Sequence, residues 1–375
     1  PKPMTYTAHD TVEASTKPTV SRLKYCYDGT IAHKLRKKLH KTLTLSGLLY
    51  SCQRASRGKF NRIEILRLNQ SKLFGLSRIY TTLSQNAYTP SPYNHFYIND
   101  PKPRSIMSLP FTDRIIHQWV VEELIKPYYV PRFIAQTYAC IPGRGTHAAV
   151  RQAQTYLCRS LQVYRTPYII KLDVAKFFHS IDPPTLFAIL RRDIDDPELL
   201  ALLHTIIFNG VTDAGLPIGN YTSQYFANIY LNELDQYIKR TLHINMYVRY
   251  MDDFLCFVDS KSEAKRIYRA IERFLHDELR LQLNPKSRYF PAHHSLDFCG
   301  YKIYPHYMLL RDRSKRRLCQ IIEDFEQDLD SEERFECRVN AWLGHALHAS
   351  SYHYATKKLG PYATRFDRLA PTQKK

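Results

Sequence analysis

Two adjacent carboxylates, Asp252 and Asp253, close the tetrapeptide Tyr250-Met251-Asp252-Asp253 between two runs that read as strands. Upstream stands Ile244-Asn245-Met246-Tyr247-Val248-Arg249 and downstream Phe254-Leu255-Cys256-Phe257-Val258, both rich in aromatic and β-branched residues. The acids therefore sit at a hairpin tip, where their charges repel unless a cation lies between them; a solvated turn is the plain alternative. A third acid, Asp173, ends the apolar run Tyr168-Ile169-Ile170-Lys171-Leu172. It is either aimed into a site or caps the next turn. Three carboxylates at strand ends suit hard cations, two Mg²⁺ with Mn²⁺ as a substitute. In such a site one ion activates an attacking 3′-hydroxyl and both stabilise in-line displacement at phosphorus. The protein's part is then mainly positioning and charge stabilisation.

Other segments must bring a phosphate-bearing substrate to these acids. Residues 92–106 read as strand, turn and strand, with Lys102 and Arg104 in the turn, where paired cations suit a triphosphate. Thr112 to Leu124 has the spacing of an amphipathic helix. Gly143 and Gly145 flank Arg144 in a loop that admits close approach of a nucleic-acid strand or of neighbouring protein. Gly215 to Gln224 (GLPIGNYTSQ) is a glycine-punctuated loop feeding a helix that Thr222 or Ser223 can cap. Such a loop can rest a phosphate or a base pair, or serve only as a cap. Ser262 to Leu279 reads as a helix, and the tail from Leu309 as helical, opening with the basic run Arg311, Arg313, Lys315, Arg316 and Arg317.

Charge names the class of partner. The 375 residues carry 54 Lys and Arg against 35 Asp and Glu, a net +19, which points to a polyanion. Residues 1–90 hold 16 of the bases and 4 of the acids. Within them, Ile31 to Leu45 has helical spacing, with Leu35, Leu39 and Leu43 on one stripe and Lys34, Arg36, Lys37 and Lys38 around it. That is an RNA-contacting helix or a solvated face. A further helix is expected over 60–73, and residues 1–20 read as a tail that orders on contact. No apolar stretch long enough for a bilayer and no signal-peptide pattern is visible, so the cytosol is the expected location. Eight scattered cysteines without a CxxC pair are expected to be reduced thiols. The sixteen histidines form no recognisable ligand set.

In their order and spacing these pieces resemble the reverse transcriptase family over roughly residues 90–305. Asp173 with Phe178, the GLPIGNYTSQ loop, YMDD, LNPKS and FCGYKIY look like its successive palm motifs, and PKPR and YACIPGRGTHAAV like its finger motifs. The resemblance implies an α+β right-hand polymerase. It implies a basic N-terminal extension (1–85), fingers (86–165 and 187–213), a palm with an antiparallel sheet (166–186 and 214–305) and a helical thumb (306–375). It further implies that Asp173, Asp252, Asp253 and the Val174 carbonyl hold two Mg²⁺, and that Lys102 and Arg104 grip the incoming triphosphate. Phe178 would exclude a 2′-hydroxyl, and Lys286 would protonate the leaving pyrophosphate. Residues 298–304 would form the primer grip, although Tyr301 reads equally well as a core aromatic. The basic N-terminal portion, Arg144, Arg313 and Arg316 would meet template and primer.

The loop narrows the resemblance. Ile218 stands before Gly219 where many reverse transcriptases have Gln, and Gln224 stands where they have Pro. This form resembles the enzymes of diversity-generating retroelements, which copy a dedicated structured RNA with errors opposite adenine and work with a small basic accessory protein in a bacterial or phage-infected cell. A phage-defence reverse transcriptase using a non-coding RNA is the runner-up. A group II intron maturase is less expected, since no Cys/His module follows the thumb segment, and the stretch after 305 is short for an RNase H domain. From another class, a catalytically silent RNA-binding scaffold is opposed by the intact aspartates.

Overall fold

A computed structural model describes residue 35 and residues 38–59, 61–99, 103–209 and 215–366. Lys34, Arg36, Lys37 and Lys102, and the expected tail over 1–20, lie outside the described residues. The described residues begin, after Leu35, with four helices, α1 (Leu39–Thr42), α2 (Leu45–Ser56), α3 (Ile63–Gln70) and α4 (Lys72–Ser84). A hairpin of β1 (Asn94–Ile98) and β2 (Arg104–Ser108) follows, then α5 (Phe111–Trp119), a π-helical turn, α6 (Lys126–Tyr129) and α7 (Thr146–Val163). Next come β3 (Tyr168–Asp173), α8 (Phe177–Ser180), α9 (Pro183–Asp193), α10 (Pro197–Ile207) and α11 (Tyr221–Gln236). The rest is β4 (Tyr247–Tyr250), β5 (Asp253–Val258), α12 (Lys261–Leu279), β6 (Arg288–Pro291), β7 (Leu296–Phe298), β8 (Tyr301–Ile303), β9 (Met308–Leu310), α13 (Asp312–Glu326), α14 (Glu332–Ala346) and α15 (Tyr352–Leu359).

The central sheet has the order β4-β5-β3-β6, antiparallel throughout, and is buried on both faces. Because strand side chains alternate, each strand serves two cores. Ile170, Leu172, Phe254, Cys256 and Val258 join a cluster with α5 and α9 to α12. Ile169, Leu255 and Phe257 join a second cluster with α7, the β7-β8-β9 sheet and α13 to α15. Strands covered on both sides read as continuous apolar runs, which is how β3 and β5 read. Among the described residues no helix is long and apolar enough to cross a membrane.

Several expectations need correction. No continuous helix covers 31–45: the Leu35 amide donates to the Asp193 carbonyl and pairs beside Ile194, while the Leu39 amide is taken by the Asp196 carboxylate at 2.6 Å. The leucine stripe is nevertheless buried, and a separate α2 begins at its Thr44 cap. The helix expected over 60–73 ends at Gln70, and Ser71 separates it from α4. Asn220 is the N-cap of α11, where Thr222 or Ser223 was expected; both are buried in the first turn, with Thr222 Oγ1 2.8 Å from His117 Nδ1. The segment at Leu309 is strand β9 before the helix starts. The described cysteines are free thiols.

Candidate active site

The register of β3 against β5 sets Asp173 directly opposite Asp253. Side chains two residues apart share a face, so Asp173 and Lys171 continue the face of Ile169, and Asp253 that of Leu255 and Phe257. One face of the sheet thus runs from an apolar patch, packed on α7 and the second core, to a pair of facing carboxylates. Asp252 occupies the turn beside them, and Met251 holds a positive φ of 57° to make that turn.

Asp173 is clamped by the turn after α12. The Asn284 amide donates to its carbonyl at 2.7 Å, and Asn284 Nδ2 to its Oδ2 at 2.9 Å. Ser287 Oγ accepts from its amide at 3.1 Å. The same turn presents Lys286, exposed, with its amide on Asn284 Oδ1. Val174 pairs with Leu283 without hydrogen bonds of its own to that residue, because the bonds run from Ala175 to Gln282 and from Asn284 to Asp173. In such a pair the residue's own carbonyl points to the other side, here toward β5 and the acids.

The turn carrying Asp252 is pinned from below. Arg249 on β4 is fully buried, and its guanidinium makes a two-point ion pair with Asp235 of α11 at 2.7 and 2.6 Å. Its remaining nitrogen, Nη1, donates to Asn228 Oδ1 at 3.0 Å and to the Met251 carbonyl at 3.1 Å. Tyr247 and Thr137 also donate to Asp235. The Arg249 backbone pairs with Gln136 and Tyr138, so the same residue ties the segment before α7 to the hairpin. Sequence reasoning passed over Arg249, Asp235, Asn284 and Ser287. A charged residue inside the run YVRY and an acid within the buried face of α11 were the available signals.

Electrostatics identify what the acids lack. Burial and then the charge of Asp173 push the Asp252 carboxyl up to about 6, against the pull of Arg104. Burial pushes Asp253 up to about 7; Lys171 opposes this, while Asp173 and Asp252 add to it. Lys171 Nζ lies 3.7 Å from Asp253 Oδ2 and also donates to the Asp297 carbonyl. Asp253 Oδ1 is buried without a hydrogen-bond partner. A buried, unsatisfied carboxylate oxygen facing a second carboxylate is the environment that a divalent cation relieves. Among the described residues no three His, Cys, Asp or Glu side chains close into a ready cage. Mg²⁺ demands none, since it keeps waters and takes substrate phosphate oxygens beside one or two carboxylates. The acids therefore fit this ion.

A sequence profile described as reverse transcriptase (RNA-dependent DNA polymerase) matches residues 99–303, which contain β3, the loop before α11 and the Asp252 hairpin. The chain belongs to the reverse transcriptase family. It is 23% identical over 302 residues to the group II intron-encoded protein LtrA of Lactococcus lactis subsp. cremoris, covering 61% of this chain and 49% of that protein. It is 34% identical over 122 residues to the retron Ec73 reverse transcriptase of Escherichia coli, covering 29% of this chain and 38% of the relative. The chain thus spans about half, or less, of the length of these curated relatives. Membership of the reverse transcriptase family implies the right-hand polymerase fold, in keeping with the mixed helices and antiparallel sheets described above.

Around the acids of this reverse transcriptase chain, the remaining sequence-selected residues divide into two groups. Arg104 opens β2, exposed, and its charge reaches Asp252. Phe178 is half-buried in α8, and its carbonyl accepts from the Leu216 amide at 2.6 Å. The loop runs from there to β2, where the Met107 amide donates to the Ile218 carbonyl at 2.8 Å. Gly219 is required by this contact: at a φ of 134°, a Cβ would stand 2.3 Å from the Met107 carbonyl oxygen. Gln224 is exposed on the first turn of α11, with the Cys140 thiol 3.5 Å from its Oε1. The loop therefore links Arg104's strand to Phe178's helix.

The other group lies apart. Arg144 spends Nη1 on the Ile134 and Thr137 carbonyls at 2.9 and 2.8 Å, which ties its own loop together. Tyr301 is fully buried, its hydroxyl donating to the His345 carbonyl, so it is the core aromatic of the two readings. The hairpin tip next to it, Cys299-Gly300, does approach the acids, since Asp253 acts on the Cys299 thiol. Lys38 is exposed before α1, and Arg313 and Arg316 are exposed on α13.

Proposed function

We propose that this chain is an RNA-directed DNA polymerase that copies a dedicated structured RNA into cDNA, of the error-prone diversity-generating type. The observation that carries the polymerase reading is the facing pair Asp173 and Asp253 beside Asp252, with one buried carboxylate oxygen left unpartnered. Asp173, Asp252, Asp253 and the Val174 carbonyl would hold two divalent cations, Mg²⁺ or Mn²⁺. When bound, these supply charge neutralisation for the attacking 3′-hydroxyl and the departing pyrophosphate.

The chain's own groups do the rest. Asn284 fixes the Asp173 carboxylate, Ser287 fixes the Asp173 backbone, and Arg249 fixes the turn of Asp252, so the acids need little reorganisation when substrate arrives. Arg104, together with Lys102, would hold the triphosphate, and Phe178 would press on the sugar where a 2′-hydroxyl would otherwise stand. Lys286, on the turn that clamps Asp173, would donate a proton to pyrophosphate. Template RNA, the growing duplex, deoxynucleotides and an accessory protein are the proposed partners. The resemblance of residues 298–304 to a primer grip agrees with the approach of Cys299 to Asp253. Extension of a DNA primer on an RNA template with Mg²⁺ and deoxynucleotides tests the reading; absence of product from folded protein that binds the duplex would count against it.

The diversity-generating assignment rests on Ile218 and Gln224. An aliphatic side chain at 218 removes the amide hydrogen bonds that Gln would offer near the nascent pair, which loosens geometric selection. Ile218→Gln is expected to lower misincorporation opposite template adenine several-fold, read by sequencing cDNA made in vitro; an unchanged error spectrum would remove this argument. A phage-defence role on a non-coding template is the second reading, and the similarity to a retron reverse transcriptase supports the polymerase core that both readings share.

A further inference from the structure

Away from the carboxylates, α3 and α4 face residues 88–91 and the start of α5 across an open groove of about 640 Å³. A shallower hollow of about 260 Å³ continues along α4 and shares Phe74, Arg78 and Thr82 with it. Phe74, Arg78 and Thr82 stand four residues apart along α4, so one stripe of this helix lines both. The floor is apolar, with Leu68, Ile79 and Ile116.

The charge of this groove is settled by what is already bonded. Glu64 accepts from the Phe111 amide at 3.0 Å and from Arg114 at 2.8 Å. Asp113 accepts from the Tyr88 hydroxyl at 2.9 Å and the Ser91 amide at 3.2 Å. Both acids of the lining are therefore engaged within the protein. Arg67 and Arg78 are exposed and make no ion pair among the described residues. In the same lining Phe74 leaves 68% of its surface in solvent. An exposed aromatic face in a groove with guanidinium groups and hydroxyls is the composition that binds unpaired nucleotides: bases stack on the ring and phosphates meet the cations.

We propose that this groove binds single-stranded RNA, with a base on Phe74 and flanking phosphates on Arg67 and Arg78. A polyanion is favoured over a protein by the excess of 16 bases against 4 acids in residues 1–90. The site goes beyond the polymerase reading, because its lining includes neither the acids nor the loop before α11.

The test measures fluorescence anisotropy of a labelled oligouridine while excess unlabelled blunt RNA–DNA duplex fills the catalytic cleft. Phe74→Ala is expected to weaken binding about tenfold, within the range for loss of one stacked base. Phe74→Tyr keeps the stack and is expected to bind like the wild type. Arg67→Gln with Arg78→Gln is expected to reduce the salt slope by about 1.4, about 0.7 for each phosphate on a single strand. Primer extension on a template with a short overhang should stay within about twofold of wild type in every variant, which also reports folding. Unchanged affinity and salt slope would overturn the proposal. So would a Phe74→Ala variant that binds RNA normally but loses a protein partner. A wild-type chain that extended no primer would defeat the polymerase reading while leaving the anisotropy result to judge the groove.

Discussion

Asp235→Leu is expected to destabilise the fold by about 3–5 kcal/mol, the cost of stranding a buried charge. Arg249 is fully enclosed and both of its paired nitrogens are directed at that carboxylate, so no water can replace the lost partner. Tyr247 and Thr137 would lose their acceptor as well. Adding Arg249→Met should recover much of the stability, since an apolar pair of similar volume is often neutral against a buried ion pair. Polymerisation should not recover with it. The Met251 carbonyl loses its donor in the double variant, and the turn holding Asp252 is then free to shift. A misplacement near 1 Å can cost about 100-fold in rate. Urea unfolding combined with single-turnover extension separates the two effects. A double variant that regained both stability and rate would show that Arg249 is a packing residue and does not position the turn.

Without metal, the wild-type protein is expected to lose stability as pH rises from 5 to 8, and Mg²⁺ is expected to restore it at pH 8 but hardly at pH 5. Asp252 and Asp253 are held at about 6 and about 7, above the ordinary carboxylate value of 3.8. A folded-state value raised in this way contributes stability that is complete below about pH 4 and lost as pH climbs through the folded values. The two acids share one field, so the loss belongs to the pair. A tenfold change in proton affinity is worth about 1.4 kcal/mol, and from pH 5 to 8 groups held at about 6 and about 7 cover about three such steps, so the pair should account for at most about 4 kcal/mol. Asp253→Asn removes the titrating group whose oxygen lacks a partner and should flatten the profile. Denaturant midpoints across this range with and without Mg²⁺ check it. An Asp253→Asn profile parallel to that of the wild type would contradict it.

Much of this site is legible in the sequence because the chemistry lies on strands. Short apolar runs rich in aromatic and β-branched residues, with an acid at the end, locate β3, β5 and the hairpin from residue types alone. The glycine loop is legible too, although its reason is not: Gly219 is set by a carbonyl of β2, far away in sequence. What stays hidden depends on long-range partners. Arg249 looks like a strand residue and Asp235 like a helix residue, and only packing of α11 under β4 turns them into one pair. Asn284 reads as part of a turn next to Lys286, while its amide in fact holds Asp173. The N-terminal leucines keep their burial but lose their helix, because Asp193 and Asp196 offer the backbone other partners. Arg144 stands out for its glycine neighbours, while the two carbonyls that its guanidinium holds are revealed by no spacing.

The most direct test of the central claim compares wild type, Asp252→Ala, Asp253→Ala and the double variant in single-turnover extension of a DNA primer on RNA, with duplex affinity measured on the same samples. The wild type is expected to extend the primer in a Mg²⁺-dependent way, each variant to lose about 10³-fold or more, as befits charge stabilisation in the transition state, and all four to bind the duplex within about twofold of one another. Extension by the double variant at a rate near that of the wild type would contradict it.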